Sequence, residues 1–245
     1  MTRFLIGIDD TDNLESRGTG HRARQLAERL SEAGIEPIGI TRHQLLVDPR
    51  IPYTSHNSSA CIEVQCRDGS ADRMVGICRE FLLRESAEGS DAGLCVARRE
   101  QATGDVMAFG LRAKRDVVRV ADAHELAAAS SIYLEGLTGT RIGVIGALAG
   151  IGLHAGGDDG RFLWMPRLRE LQGVLTAADL KAQLGLDCIE TEGGEAPAPS
   201  DRVDVGDWAR PLPKKGRVVL YVERVDRHDC GWQTIPKMRV KELSN

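Results

Sequence analysis

Short apolar runs alternate with amphipathic segments along this chain, and the alternation predicts strands and helices in turn. Residues 4–8 form a continuous apolar run of strand length, and residues 60–66 alternate between apolar and polar positions. Residues 20–33 place Ala and Leu at helical spacing and end at Gly34, a residue type that commonly ends helices. Further strands are predicted over 35–47, 94–98, 161–165 and 216–225, and further helices over 71–87, 105–114, 123–132 and 176–184. The mixture predicts an α+β (mixed α/β) fold.

One segment stands out as a break in this pattern. Residues 190–201 read ETEGGEAPAPSD, which is acidic and rich in Pro, Gly and Ala. Such a composition lacks the apolar residues needed for a packed element, so we predict a mobile linker near 190–203. With 245 residues the chain is long enough for two domains.

Composition excludes several classes of protein. Apolar residues make up 42% and charged residues 28%, which is typical of globular proteins. The net charge of −4 and the aromatic content of 4% argue against a dedicated nucleic-acid binder or a stacking platform. No apolar stretch reaches the length of a membrane span. The six cysteines form no CxxC pair, so we expect no zinc ribbon and reduced thiols in a cytoplasmic protein.

Three acidic residues follow the first strand at once. Asp9, Asp10 and Asp12 would repel each other there, and a bound cation would remove that cost. Mg²⁺ takes one or two carboxylates and keeps its other positions for water and phosphate oxygens. In an extended segment Asp10 and Asp12 point the same way, so we predict them as metal ligands, with Asp9 on the other side or capping the turn. The alternative is a solvated turn in which Asp and Asn bond their own backbone.

A glycine-bearing loop leads from the acids into the first predicted helix. Gly18, Thr19 and Gly20 stand at the helix entrance, and basic residues surround them. Backbone amides of a glycine-bearing loop and the helix dipole favour a bound anion, so this loop is predicted to hold phosphates. It lacks the spacing of a Walker A motif. The alternative is an ordinary helix start in which Thr19 is the capping residue.

A second polar loop covers residues 48–59 between two predicted strands. Its hydroxyls, amide and imidazole are suited to hold phosphate or ribose oxygens, and loops on a rigid scaffold often carry function. The residues predicted to do so are Ser55, His56, Asn57 and Ser58. The alternative is a flexible surface turn.

Glycines recur through residues 139–156, where a helix is predicted. Each costs about 1 kcal/mol of helix stability relative to alanine, so their number implies close packing against another backbone or a ligand. The small face of Gly143, Gly146, Ala147 and Gly150 suits packing on a sheet, within one chain or between two in a homodimer. Asp158 and Asp159 follow as a turn or a second polar site.

Four motifs occur in an order that resembles a known family. They are GIDDTDN at 7–13, DPRIPYTSHNSSACIEV at 48–64, GSDAGLCVA at 89–97 and GTRIGVIGALAGIGL at 139–153. Together they resemble the archaeal agmatinylcytidine synthetases of isoleucine tRNA, a family of ATP-dependent tRNA-modifying enzymes. The resemblance runs over roughly residues 4–165.

The resemblance implies a domain order and a cofactor. It implies a kinase-like ATP-binding domain over 1–118, followed by a ferredoxin-like domain over 119–245. Asp9, Asp10 and Asp12 would hold Mg²⁺ and the phosphates of ATP, and Thr11 would help to bind the nucleotide. The loop from Ile51 to Ala60 would lie next to the nucleotide.

The chain departs from the family pattern at two places. Where the family tends to have Lys-Thr-Arg-Gly-Asn, this chain has residues 54–58, Thr-Ser-His-Asn-Ser, so it offers less positive charge to a transferring phosphoryl group. His56 is the residue that could partly substitute. The C-terminal nucleic-acid-binding and zinc-ribbon domains of the family have no counterpart, so we expect tRNA to bind only with a separate RNA-binding partner.

The sequence leaves three candidate functions for the protein. The leading one is an Mg–ATP-dependent transferase or ligase-like enzyme that phosphorylates or activates a nucleoside, RNA or amine. In it Asp9 completes the metal site or acts as a base. A second is a nucleotide-binding regulatory module without turnover. A third is an aspartate-nucleophile phosphatase, since IDDTDN contains D-x-D and Lys114 precedes Asp158.

Overall fold

The computed structural model describes residues 1–52, 57–67 and 71–245. Ser55 and His56 therefore lie outside the described residues. The chain divides into two compact units, Met1–Gly156 and Gly157–Asn245. The boundary thus lies well beyond residue 118, because the glycine-rich helix belongs to the first unit.

The first unit begins with six elements in the order β-α-β-β-α-β. They are β1 (Thr2–Asp9), α1 (Thr19–Glu32), β2 (Glu36–Gln44), β3 (Ser58–Cys66), α2 (Ala71–Glu85) and β4 (Gly93–Arg98). The strands lie side by side in the order β4-β1-β3-β2, and each neighbouring pair is antiparallel. This is the connectivity of ferredoxin-like folds. It occupies the first unit, whereas the resemblance had placed a ferredoxin-like fold after residue 118.

The same unit continues with elements that cover one face of the sheet. They are α3 (Gly104–Ala113), α4 (Val120–Ala129), β5 (Tyr133–Gly136) and α5 (Val144–Gly156), and β5 extends the sheet beside β4. Leu5, Cys61 and Cys95 on the strands form one core with Val144, Leu148 and Ile151 of α5. The predicted helix over 139–156 is thus confirmed from residue 144 onwards.

The glycine-rich helix lies directly on the sheet. A Cβ atom added to Gly7 of β1 would stand only 1.9 Å from the carbonyl oxygen of Ala147. Backbones approach this closely only where side chains are absent, so the predicted packing of the small helix face on a sheet is confirmed within one chain.

The second unit contains a mixed sheet and two helices. Its elements are β6 (Arg161–Trp164), β7 (Val174–Thr176), α6 (Ala177–Leu184), β8 (Cys188–Glu190), β9 (Arg202–Asp204), β10 (Leu212–Lys214), β11 (Arg217–Arg224), β12 (Trp232–Thr234) and α7 (Lys237–Leu243). Five strands follow the order β10-β11-β12-β9-β7, and β8 pairs with β11 in parallel. Trp232, Leu180 and Leu220 lie in its core.

The segment predicted as a mobile linker joins two strands of this second unit. Thr191 N–H donates to the carbonyl of Glu195 at 2.7 Å, and the Glu195 carboxylate pairs with Arg224. Glu192 pairs with Arg239 of α7. The segment is therefore a loop with its own ion pairs inside one unit, and it does not connect the two units.

Two further expectations concern the chain as a whole. All six cysteines are free, and five of them are buried. In the part of the chain that the structure describes, no helix combines the length and the apolar character needed to cross a membrane.

Candidate functional site

A cleft of about 240 Å³ opens in the first unit where β1 ends. Its polar lining includes all three acidic residues of the first motif together with Thr19, Asn57 and Ser58. Most of the other lining residues are apolar. The apolar lining comes from Leu45, Ile51, Pro52, Ala113, Val117, Val118, Val120, Ile142 and Ile145. Polar groups and apolar surface in one cleft suit a ligand with a phosphate or other polar group on an apolar body.

The three carboxylates share this cleft because the strand ends at Asp9. Asp10 has a φ of 52°, in the left-handed region that residues other than Gly, Asn and Asp rarely adopt. The side chains after Asp9 therefore do not continue to alternate between the two faces of the sheet as they do along β1. The prediction that Asp9 faces away from Asp10 and Asp12 is wrong, because an extended continuation of the strand was assumed.

Asp12 reaches forward to the start of α1. Its Oδ1 accepts hydrogen bonds from the backbone N–H of Thr19 at 3.0 Å and from the Thr19 hydroxyl at 2.7 Å. The Thr19 hydroxyl also accepts a bond from the hydroxyl of Thr11 at 3.2 Å. Asp12 thus acts as the cap of α1 from seven residues away, and Gly18 occupies the N-cap position without a side chain of its own.

This cap changes the role predicted for the Gly18-Thr19-Gly20 loop. The amide of Thr19, which was predicted to hold a phosphate, is already bonded to a carboxylate of the chain. Thr19 does not cap the helix either, since its hydroxyl donates to Asp12 instead of accepting from the helix. The loop therefore fixes Asp12 at the cleft, and Oδ1 of Asp12 is engaged there.

Asp9 is the most enclosed of the three acids. Its side chain lies against Gly146 of α5, where an added Cβ would stand 1.7 Å from its Oδ2. Burial, reinforced by the negative charges of Asp10 and Asp12, raises the pKa of Asp9 to about 8. Arg42 lowers that pKa in part, but burial dominates.

Asp10 is perturbed in the same direction. Burial raises its pKa to about 6, and the charges of Asp91 and Asp12 add to the effect. The raised pKa values mean that the charged form of these carboxyls is disfavoured, first by burial and then by the neighbouring carboxylates. A cation on these oxygens would favour the charged form, and hard carboxylate oxygens are the ligands that Mg²⁺ prefers. Within the described ranges, however, no group of three His, Cys, Asp or Glu residues is arranged as a ready metal site.

The second polar loop contributes to the cleft through its end. Asn57 and Ser58, two of the four residues predicted to hold phosphate or ribose, line the cleft. The other two, Ser55 and His56, lie outside the described residues. The Asn57 side-chain amide donates to the carbonyl of Leu46 at 2.6 Å, so it also fastens the loop. Arg50 lines the cleft too, with its guanidinium on Asp48 at 2.8 Å.

Two acidic residues near the site were not predicted. Asp91 acts on Asp10 through its charge and accepts a hydrogen bond from the backbone N–H of Thr140. Asp116 lines the cleft after α3. Asp91 lies within the motif GSDAGLCVA, which was the available signal, whereas nothing in the sequence near Asp116 marks it. Asp158 belongs to the second unit, where it accepts a bond from the backbone N–H of Lys215.

Comparison with known proteins bears on the family. No protein-family model matches the chain. The isoleucine-tRNA 2-agmatinylcytidine synthetase TiaS of Methanosarcina mazei is 27% identical over 155 residues, which is 61% of this chain and 35% of that protein. A solved complex of TiaS with isoleucine tRNA and ATP matches 62% of this chain and 36% of its own, with 26% identity and a TM-score of 0.54.

Another solved structure, apo TiaS, matches more of the chain. It covers 98% of this chain and 54% of its own with a TM-score of 0.56, and at 18% identity it shows the fold alone. The chain spans about half the length of that structure. The α+β fold is therefore shared, and the resemblance to the agmatinylcytidine synthetases of isoleucine tRNA, inferred from four motifs, is confirmed.

Proposed function

We propose that the first unit binds Mg–ATP in the cleft and uses it to phosphorylate or otherwise activate an acceptor, in the manner of an ATP-dependent ligase. The observation that carries the proposal is that Asp9, Asp10 and Asp12 line one cleft that also has apolar residues in its lining. A related protein has been solved with ATP and tRNA, which supports ATP as the cofactor and RNA as the class of acceptor.

The proposed roles follow from the environment of each acid. Asp10 and Asp12 would hold the metal, and the hydrogen bonds from Thr19 to Oδ1 of Asp12 would keep that carboxylate at the cleft. A Mg²⁺ ion held by these residues would supply positive charge against the negative charge of the phosphates. Asp9, with its pKa raised to about 8, would keep its proton until the metal binds, and would then serve as a ligand or as the base that accepts a proton from the acceptor.

The apolar lining offers surface for the nucleotide base. Ile51, Val118 and Ile145 are among the apolar residues that line the cleft. Burying a flat base against aliphatic side chains is favourable at roughly 25 cal/mol per Å² of apolar surface. The cleft would thus bind the base through apolar contacts and the phosphates through polar groups.

Calorimetric titration of ATP, with and without Mg²⁺, tests the proposal. Wild-type protein is compared with Asp10→Asn/Asp12→Asn, and with the matched control Asp207→Asn/Asp226→Asn, which removes two exposed carboxylates from the second unit. We expect Mg²⁺-dependent binding that the first double variant loses and the control retains. Absence of binding to wild type at millimolar ATP would reject the proposal.

The same samples distinguish the two alternative functions. Binding without turnover across a set of nucleoside, RNA and amine acceptors would indicate a regulatory nucleotide-binding module. Hydrolysis of p-nitrophenyl phosphate that depends on Asp10 would indicate an aspartate-nucleophile phosphatase, which also uses a D-x-D pair at the end of a strand. An electrophoretic shift of tRNA, with and without added RNA-binding proteins, tests the need for a separate partner.

A further inference from the structure

A row of polar side chains crosses the sheet beneath α5. Strand register pairs Ile8 of β1 with Ala60 of β3, so the next position of the ladder brings Asp9 opposite Ser59. Ser59 is in turn paired with His43 of β2. Directly opposed residues on neighbouring strands point to the same face, with Cβ atoms about 4.5–5.5 Å apart. Asp9, Ser59 and His43 therefore form one line that begins at the cleft.

Helix α5 covers this line with one face. Gly146 lies over Asp9, and Gly150 lies over Ser59, where an added Cβ would stand 2.8 Å from the Ser59 hydroxyl oxygen. His154, four residues further on, bonds to the next polar group of the row. Positions 146, 150 and 154 follow the i, i+4 spacing of one helix face. The two glycines thus leave room for polar side chains that larger residues would displace.

Hydrogen bonds connect the inner part of the row. The Thr41 hydroxyl lies 2.8 Å from Nε2 of His43 and 2.8 Å from Nδ1 of His154. Nε2 of His154 lies 3.3 Å from the carboxylate of Glu63. Thr41 and His43 are fully buried. Four connected polar side chains in a core reduce stability unless they are fully satisfied, so their presence under α5 calls for a role.

Ser59, between Asp9 and His43 in this row, has no hydrogen bond from its hydroxyl to either neighbour. Its hydroxyl is completely buried and has no hydrogen-bond partner among the residues that the structure describes. A buried hydroxyl without a partner costs about 1–3 kcal/mol. A different χ1 rotamer is the simplest way to satisfy it, and its neighbours across the strands are Asp9 and His43.

We propose that Ser59 is a positioning residue whose hydroxyl donates a hydrogen bond to the Asp9 carboxylate and thereby ties it to the His43–Thr41–His154–Glu63 row. The row holds Asp9 against α5 at the cleft wall while ligand binds. Because Asp9 faces the nucleotide in the proposed function, the inference rests on that function, and the experiments below separate the two.

The first experiment measures coupling in the protein without ligand. The imidazole ¹⁵N shifts of His43 are recorded in wild type, Asp9→Asn, Ser59→Ala and the double variant. We expect Asp9→Asn to shift the His43 signals, and we expect most of that shift to vanish when Ser59 is absent. Ser86→Ala, which removes another partnerless buried hydroxyl of the same unit, should leave the shift intact. An equal shift with and without Ser59 overturns the proposal.

The second experiment measures Mg–ATP affinity and thermal unfolding. Ser59→Ala should weaken binding about tenfold, as expected for a lost hydrogen bond to a charged group, and the thermal unfolding curve should show that the variant is still folded. Ser59→Cys, which keeps the volume, should behave alike. If wild type binds Mg–ATP and both variants bind equally well, the proposal fails. If wild type binds no Mg–ATP, the proposed function fails, and the His43 shifts still decide the role of Ser59.

Discussion

Replacing Gly146 by alanine tests whether the Asp9 side chain packs directly against α5. An added Cβ would stand 1.7 Å from Oδ2 and 2.4 Å from Cγ of Asp9, so the carboxylate must leave its position. Alanine is worth about 1 kcal/mol over glycine inside a helix, whereas forcing atoms into a packed core costs about 1–3 kcal/mol. We therefore expect the free energy of unfolding to fall by up to about 2 kcal/mol, the difference between these two effects, and Mg–ATP binding to be lost.

Chemical denaturation and calorimetry of three variants make the test quantitative. Gly76→Ala in α2 is the matched control, because an added Cβ meets nothing within 4 Å there, and it should stabilise by about 1 kcal/mol. The double variant Asp9→Ala/Gly146→Ala should recover part of the lost stability, because the clash with the carboxylate is gone. It should not recover Mg–ATP binding, because the Asp9 carboxylate is also gone. If Gly146→Ala is as stabilising as Gly76→Ala and binds Mg–ATP normally, the placement of Asp9 under α5 is refuted.

Three further outcomes follow from the same unit. Gly93→Ala should lower the free energy of unfolding, measured with denaturant, by about 3 kcal/mol or more. The added Cβ would stand 2.1 Å from the backbone carbonyl carbon of Gly143, and backbone cannot rotate away as a side chain can. Gly104→Ala is the control, because an added Cβ there meets nothing within 4 Å. Thr19→Val should lower thermal stability by about 1 kcal/mol through loss of the Asp12 hydrogen bond, and an unchanged melting temperature would contradict the cap. The folded-state pKa values of Asp9, about 8, and Asp10, about 6, exceed the value of 3.8 for the unfolded chain, so the folded state binds more protons between about pH 4 and pH 8. Stability should therefore decrease as pH rises through this range, and Asp9→Asn should flatten the decrease in melting temperature measured from about pH 5 to pH 8.

Elements with a long, clear pattern were predictable from the sequence. The strand at 4–8, the helix at 20–33 and the strand at 216–225 appear as β1, α1 and β11. The apolar spacing alone carries this information, because each of these elements buries a continuous face. Their ends differ by one or two residues, as is usual where hydrogen-bonding patterns fade.

Short strands were not predictable in the same way. β7, β8, β9, β10 and β12 have three residues each, which is too few to show any period. β9 and β12 pair in parallel although they lie far apart along the chain, and only tertiary contacts can select such partners. The ion pairs of the acidic segment were not predictable for the same reason, because the arginines that pair with its glutamates lie far along the chain.

The position of the site was predictable, but the direction of its side chains was not. The acidic motif, the helix entrance and the loop at Asn57 and Ser58 do meet at one cleft. Alternation along a strand was the only basis for orienting Asp9, Asp10 and Asp12, and the left-handed backbone at Asp10 cancels it. The cover over Asp9 comes from Gly146, far along the chain, and local sequence carries no trace of that contact.

Three carboxylic acids can lie together at the end of β1 because each side chain has different surroundings. Asp12 accepts two hydrogen bonds at the start of α1, from the backbone N–H and from the hydroxyl of Thr19. Asp10 turns through a left-handed backbone towards the cleft, and Asp9 is buried deeply enough to keep its proton at neutral pH. Because burial under α5 raises the pKa of Asp9, any cation that binds these oxygens must displace a proton to use it. Any cation that bound these oxygens would therefore be coupled to pH through the packing of α5. The glycines of that helix could be recognised in the sequence, whereas their contact with Asp9 could not.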